Sequence, residues 1–143
     1  NGYGRAKDEI REAKLNTCLD MLRELGTEKM AIQRSSALLS PTASSEALEL
    51  VEWNMKKVTK MGYEQAARTL ANGDIIGIAG KHNGVVHIIS SSGDNITPTT
   101  TAKKIAKSFE GSSLEILPGL GHASYVEDAD IFSKSVLKFL ENN

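Results

Sequence analysis

Two residues able to do acid–base chemistry stand at matching places in the last third of the sequence. Asp94 follows the apolar run "VVHII", and His122 lies in "GLGHASYVED", just after the apolar "SLEIL". If both runs are parallel strands, both residues stand beyond carboxyl ends, on the sheet edge where open α/β folds place their sites. An aspartate that accepts from one ring nitrogen of a histidine fixes its tautomer and favours its charged form. The other nitrogen is then left to act as a general base. The pair is 28 residues apart, so only the fold can bring them together. Both also have plainer uses: a strand-end aspartate ahead of a helix often closes a turn, and a loop histidine often faces solvent. Spacing alone leaves both readings open.

The remaining reactive side chains are weaker candidates. Ser124 is two residues from His122, and Ser90, Ser91 and Ser92 precede Asp94. None sits in a strand–turn–helix elbow with small neighbours, and a nucleophile needs both its base and its oxyanion donors within reach. Cys18 falls on the apolar face of a helical segment and reads as core. His82, in "GKHNG", reads as a solvated loop residue, and His87, inside "VVHII", as a packed and hydrogen-bonded one. With no second His or Cys at ligand spacing, neither a metal site nor a cofactor is expected. Met55 and Met61 read as a buried stripe. Trp53 falls between stripe positions and is the better candidate for a pocket wall.

The elements that must position these residues divide the chain in two. Residues 1–73 read as four helices without a strand. "RAKDEIREAKLNTCLDMLRELG" carries Ile10, Ala13, Cys18, Leu19, Leu22 and Leu25 at helical spacing and stops at Gly26. "EKMAIQRSSALL" follows, with Thr27 able to cap it. "SEALELVEWNMKKVTKM" presents Leu48, Val51, Met55 and Val58. After Gly62, "YEQAARTLA" runs to Asn72-Gly73. This part has the look of a cap (a lid) or a small bundle. Residues 74–143 begin with the Gly-rich connector "DIIGIAGKHNG", in which Asn83-Gly84 signals a turn. The β-branched "VVHII" reads as a strand buried on both faces. Thr97 as N-cap and Pro98 at the first helical position open a helix with Ala102, Ile105, Ala106 and Phe109 inward. "SLEILPG" is a second strand. "ADIFSKSVLKFLE" is a last helix that packs through Phe132, Val136, Phe139 and Leu140. Strand, helix, strand, helix is parallel α/β connectivity.

The 143 residues allow one ordinary domain. With 40% hydrophobic and 24% charged residues the chain is globular, and 17 basic against 18 acidic residues give no basic surface for nucleic acid. No apolar run approaches the roughly 20 residues that span a bilayer, so no membrane partner is expected. The single cysteine rules out an intrachain disulfide. A cytoplasmic protein is the expectation. Two parallel strands make a poor sheet, and a strand apolar on both faces needs a neighbour on each side. The chain also begins at Asn1 without a methionine. The expectation is therefore that further strands come from another chain or an upstream segment.

"SGDNITP", followed by a helix, a strand and "LPGLGHASYVEDADIFSKSVLKFL", resembles the C-terminal half of the α/β-hydrolase family. Members typically show a strand ending in Gly-x-x-Asp-x-x-x-Pro, then a strand, then Gly-His and an acidic residue before a helix ending in Phe-Leu. "MGYEQAARTLANGDI" is similar to the end of their cap domain. The resemblance is greatest to small esterases and enol-lactone hydrolases, and it covers essentially the whole chain. It implies hydrolysis of a small carboxylic ester or lactone by a Ser-Asp-His triad, with Asp94 as acid, His122 as base, and Ile96 bordering the substrate. Ser91 stands where the family has glycine. No Gly-x-Ser-x-Gly occurs, although the family order is nucleophile, acid, histidine. The resemblance thus implies that the nucleophile lies on a partner, the N-terminal half of the same hydrolase, as a cleaved chain, a second subunit of a heterodimer or an upstream segment. Alone, this chain is expected to be inert. The fold also hosts C–C bond hydrolases, acyltransferases, aspartate-nucleophile hydrolases and non-catalytic ligand receptors, so those alternatives stay open.

Overall fold

The computed structural model describes residues 8–142. Arg5, Ala6 and Lys7, at the start of the first expected helix, lie outside the described residues. Helix α1 (Asp8–Ser35) is two helical stretches meeting at Gly26, whose φ of 70° and ψ of 176° are not helical. That backbone region is essentially restricted to glycine, so Gly26 redirects the chain and the second stretch resumes at once. Leu19, Leu22, Met30 and Ala31 are buried, whereas Ile10 and Ala13, at the outer end of the expected stripe, are exposed. A single 3-10 turn (Ser36–Leu38) follows.

Helix α2 (Ser45–Lys56) starts from Ser44, whose hydroxyl accepts from the Ala47 amide at 3.1 Å. The next break falls at residues 57–59 rather than at Gly62. Thr59 caps helix α3 (Lys60–Asn72) by accepting from the Gly62 amide at 3.1 Å, so the glycine sits inside the first turn. A side-chain cap satisfies an orphan amide and fixes where a helix begins; here it outweighs the weaker breaking tendency of the glycine. Both α2 and α3 pack on α1.

Within the expected connector, Asp74 caps a short helix α4 (Ile75–Ile78), and a 3-10 turn (Ala79–Lys81) follows. Strand β1 spans His87–Ser91, two residues later than the apolar run suggests, and Val85 is 67% exposed. Helix α5 (Thr99–Ser108) crosses to strand β2 (Ser113–Leu117), which pairs parallel with β1 from His87↔Ser113 to Ser91↔Leu117. Parallel strands require such a crossover. The expected burial of β1 on both faces is only partly met. His87, Ile88 and Ile89 are half-buried and only Ser90 and Ser91 are buried, because β2 is its single neighbour among the described residues. A short helix α6 (Ser124–Glu127) and the terminal helix α7 (Ala129–Glu141), capped by Asp128, complete the fold. On α7, Phe132, Val136 and Phe139 face inward, but Leu140 is 63% exposed and the buried position is Ser135.

The helical part and the strand part share a core. Leu39, Ala47 and Val51 cluster with Ala123, and Met55 and Val126 pack against them. No described helix is long and apolar enough to cross a membrane.

Candidate active site

Asp94 is delivered by a turn that is sewn to the loop carrying His122. The Ser92 amide donates to the Leu117 carbonyl at 2.9 Å and the Gly93 amide to the Leu120 carbonyl at 2.9 Å. The Ser92 hydroxyl accepts from the Gly119 amide at 2.7 Å. Gly93 is needed there, since a β-carbon would lie 2.8 Å from the Leu120 carbonyl oxygen. These bonds extend the β1–β2 pairing past the strand ends and draw the two loops together.

The histidine loop is held from its other side as well. The Ala123 amide donates to the Leu38 carbonyl at 2.8 Å. Glu127 Oε1 accepts from the Ser40 amide at 3.0 Å and the Gly121 amide at 2.7 Å. At Gly121 a β-carbon would stand 2.5 Å from backbone atoms of both Leu39 and Ser40. His122 therefore projects from a loop clamped between the end of β1 and residues 38–40.

In this frame His122 Nδ1 lies 2.9 Å from Asp94 Oδ2. The aspartate side chain is 6% exposed and the histidine side chain 37% exposed, so the carboxylate is enclosed while the ring reaches solvent. Asp94 Oδ1 accepts from the Ile96 and Thr97 amides, each at 2.8 Å. Oδ2 also accepts from the Thr97 hydroxyl, and that hydroxyl is 3.1 Å from His122 Nδ1. Burial pushes the Asp94 carboxyl up, but the hydrogen bonds from Thr97, His122 and Ile96 outweigh it and leave the acid below its ordinary value. Asp94 thus closes a local turn and faces His122 at once.

Thr97 joins this cluster in a way that the helix-start reading of the sequence does not predict. Its place before Pro98 predicts the N-cap of α5, but that position belongs to Pro98, and the Thr97 hydroxyl is spent on Asp94 and His122. Its signal is the spacing Asp-x-x-Thr, which fits a residue folding back on a turn. Glu127 is legible in sequence only as an acidic residue before the last helix.

The other candidates occupy different places. Ile96 lines an open groove of about 680 Å³ with Leu39, Ser40, Pro41, Leu48 and Asn95. A smaller cavity of about 170 Å³ runs along β1 to Asp94, Thr97 and His122. Trp53 lines neither; it is 59% exposed on α2, with Lys57 Nζ 5.0 Å from its ring centre. Ser124 is buried. Cys18 is half-buried, with Arg34 Nη1 3.9 Å from its sulfur. His82 is exposed, its ring edge-on to Phe109. His87 is packed and hydrogen-bonded: Nδ1 lies 2.7 Å from Ser113 Oγ, Nε2 3.2 Å from Ser135 Oγ, and the ring stacks on Phe139. Among the described residues no three His, Cys, Asp or Glu side chains converge as a metal site.

No protein-family model matches the chain, and no curated protein matches it by sequence. Solved structures do. An esterase from Exiguobacterium antarcticum superposes with a TM-score of 0.83 at 12% identity, over 97% of this chain and 53% of that one. A thermophilic esterase from Thermogutta terrifontis gives 0.84 at 16% identity, over 98% and 53%. The enol-lactonase from Burkholderia xenovorans gives 0.79 at 18% identity, again over 98% and 53%. The chain has the α/β-hydrolase fold. It spans about half the length of the structures it matches, and its two parallel strands between helices are the C-terminal portion of that fold. In α/β-hydrolase terms, the strand ends that carry Asp94 and His122 form the edge where open sheets bind their ligands.

Proposed function

We propose that this chain supplies the general base and its orienting acid to a hydrolase of a small carboxylic ester or lactone, with the nucleophile on a partner segment. The observation that carries the reading is the 2.9 Å contact between His122 Nδ1 and the enclosed Asp94 carboxylate, on a ring that still reaches solvent. In this mechanism the Nε2 of His122 takes the proton of a serine hydroxyl as that oxygen attacks the ester carbonyl. The ring then gives the proton to the departing alkoxide. A water molecule, deprotonated by the same nitrogen, then attacks the acyl-enzyme, and the ring returns that proton to the serine oxygen as the acid departs. Asp94 holds the ring in the required orientation and faces it while it is charged. The partner is the N-terminal half of the same hydrolase, and it also brings the oxyanion donors. The half-covered β1, with one neighbouring strand among the described residues, supports this division, as does the roughly twofold greater length of the matching structures.

The test uses the purified assembly and short-chain p-nitrophenyl esters. His122→Ala is expected to lower kcat by several orders of magnitude while the assembly stays folded. A fluorophosphonate probe is expected to label a serine outside this chain. Turnover at the wild-type rate in the variant, or label on a serine of this chain, would refute the reading.

A further inference from the structure

Three atoms at the centre of the site are in mutual contact: Asp94 Oδ2, His122 Nδ1 and Thr97 Oγ1. Counting protons fixes how they are arranged. The carboxylate only accepts, the hydroxyl has one proton to give, and the ring nitrogen carries a proton or a lone pair. Were Nδ1 bare, its lone pair would face the Asp94 oxygen at 2.9 Å. The hydroxyl could then satisfy one of those two acceptors only. Were Nδ1 protonated, every group would be served: the hydroxyl donates to Oδ2, and the N–H is shared between Oδ2 and a lone pair of Oγ1. The second arrangement is the one without a repulsive contact.

We infer that Thr97 is a positioning residue of this site, whose hydroxyl locks the Asp94 carboxylate and gives His122 a second acceptor, holding the ring as the Nδ1–H tautomer with Nε2 free. The backbone amides of Ile96 and Thr97 already fix Oδ1, so the Thr97 hydroxyl is the one restraint on Oδ2 that does not come from the ring itself. Without it, one contact at 2.9 Å would restrain a ring that is 37% exposed. The ring could then turn toward water and exchange its tautomers. The lowered acidity range of Asp94, to which the Thr97 bonds contribute, agrees with this geometry.

The kinetic consequence rests on the reading of His122 as a general base, but the tautomer does not, and the two can be measured apart. The chain contains three histidines, so ring nitrogen shifts from histidine-labelled protein in its native assembly can be assigned by substitution. Wild type is expected to show the Nδ1–H pattern for His122 when the ring is neutral. Thr97→Val, which keeps shape and removes the hydroxyl, is expected to give averaged shifts of exchanging tautomers, and Thr97→Ser to restore the wild-type pattern. In ester hydrolysis Thr97→Val is expected to lose about 10- to 100-fold in kcat, the scale of a misplaced catalytic group, with KM changed by less than about twofold. An unchanged shift pattern in Thr97→Val, or a Thr97→Ser variant as perturbed as Thr97→Val, would overturn the inference. Ester turnover that His122→Ala does not reduce would instead sink the hydrolase reading and leave the tautomer result standing.

Discussion

At the scale of single residues, the charge on Asp94 is tied to the fold. Its native acidity range lies below the ordinary value of 3.8, because hydrogen bonds to the charged form outweigh burial. A depressed acid contributes stability that is fully present above its unfolded value and is lost as pH falls through its folded value. Stability against denaturant should therefore fall on acidification below about pH 4. Asp94→Asn should remove part of that dependence, while turnover in the same variant should fall steeply, by up to about four orders of magnitude. If Asp94→Asn keeps the wild-type acid limb, other carboxylates carry it. Asp94 and His122 can be nominated from strand-end position and residue type, although within the sequence it is the family resemblance that favours the paired reading over the plainer one. Thr97 cannot, because a threonine ahead of a proline looks like an ordinary helix start. Only the three-dimensional turn shows its hydroxyl pointing back rather than forward.

Secondary-structure elements meet at the clamp around the histidine loop. Glu127, the Leu38 carbonyl and the missing side chain of Gly121 together bring residues 38–40 against it. Gly121→Ala would drive a methyl group to 2.5 Å from the Leu39–Ser40 peptide and 2.7 Å from Glu127 Oε1; the side chain can yield, the backbone cannot without the two segments parting. It should cost about 1–3 kcal/mol by chemical denaturation, the usual range for overpacking. A loss below about 0.5 kcal/mol would show that the two backbones separate easily. None of this contact is legible in sequence, since Ser40 and Glu127 are 87 positions apart and share no motif. The break in α1 is legible at Gly26, whose conformation is not helical, and a helix limit is misplaced where a glycine and a cap compete. Thr59 sets the start of α3, although Gly62 is the more conspicuous residue. The strand pair is recognisable from composition, but β1 starts two residues later because Val85 and Val86 lead into it rather than join it.

For the molecule as a whole, the covering of β1 decides the outcome. One edge carries β2, and the apolar residues Ile88 and Ile89 remain half-buried. The proposed partner segment would add a strand there, so native mass spectrometry should find this 15.4 kDa chain bound to a second polypeptide or continuous with one. Amide hydrogen exchange in residues 87–91 should slow when that segment is present. A lone, folded monomer of that mass with protected β1 amides would contradict the proposal. The expectation of further strands comes from the sequence, since two strands make a poor sheet; the chain spans about half the length of the esterases and the enol-lactonase it matches.

The clamp at Gly121 also bears on engineering. Exchanging the helices of residues 8–73 for those of another protein with this fold has an obvious cut at residue 73. A graft made there would carry Leu38, Leu39 and Ser40 away from the loop they grip, and the new helices would meet Gly121, Ala123 and Glu127 with foreign backbone. The helical part and the placement of His122 are thus inherited as one package. A chimera that keeps residues 38–40 native should retain the geometry at His122, whereas one that replaces them must re-evolve it.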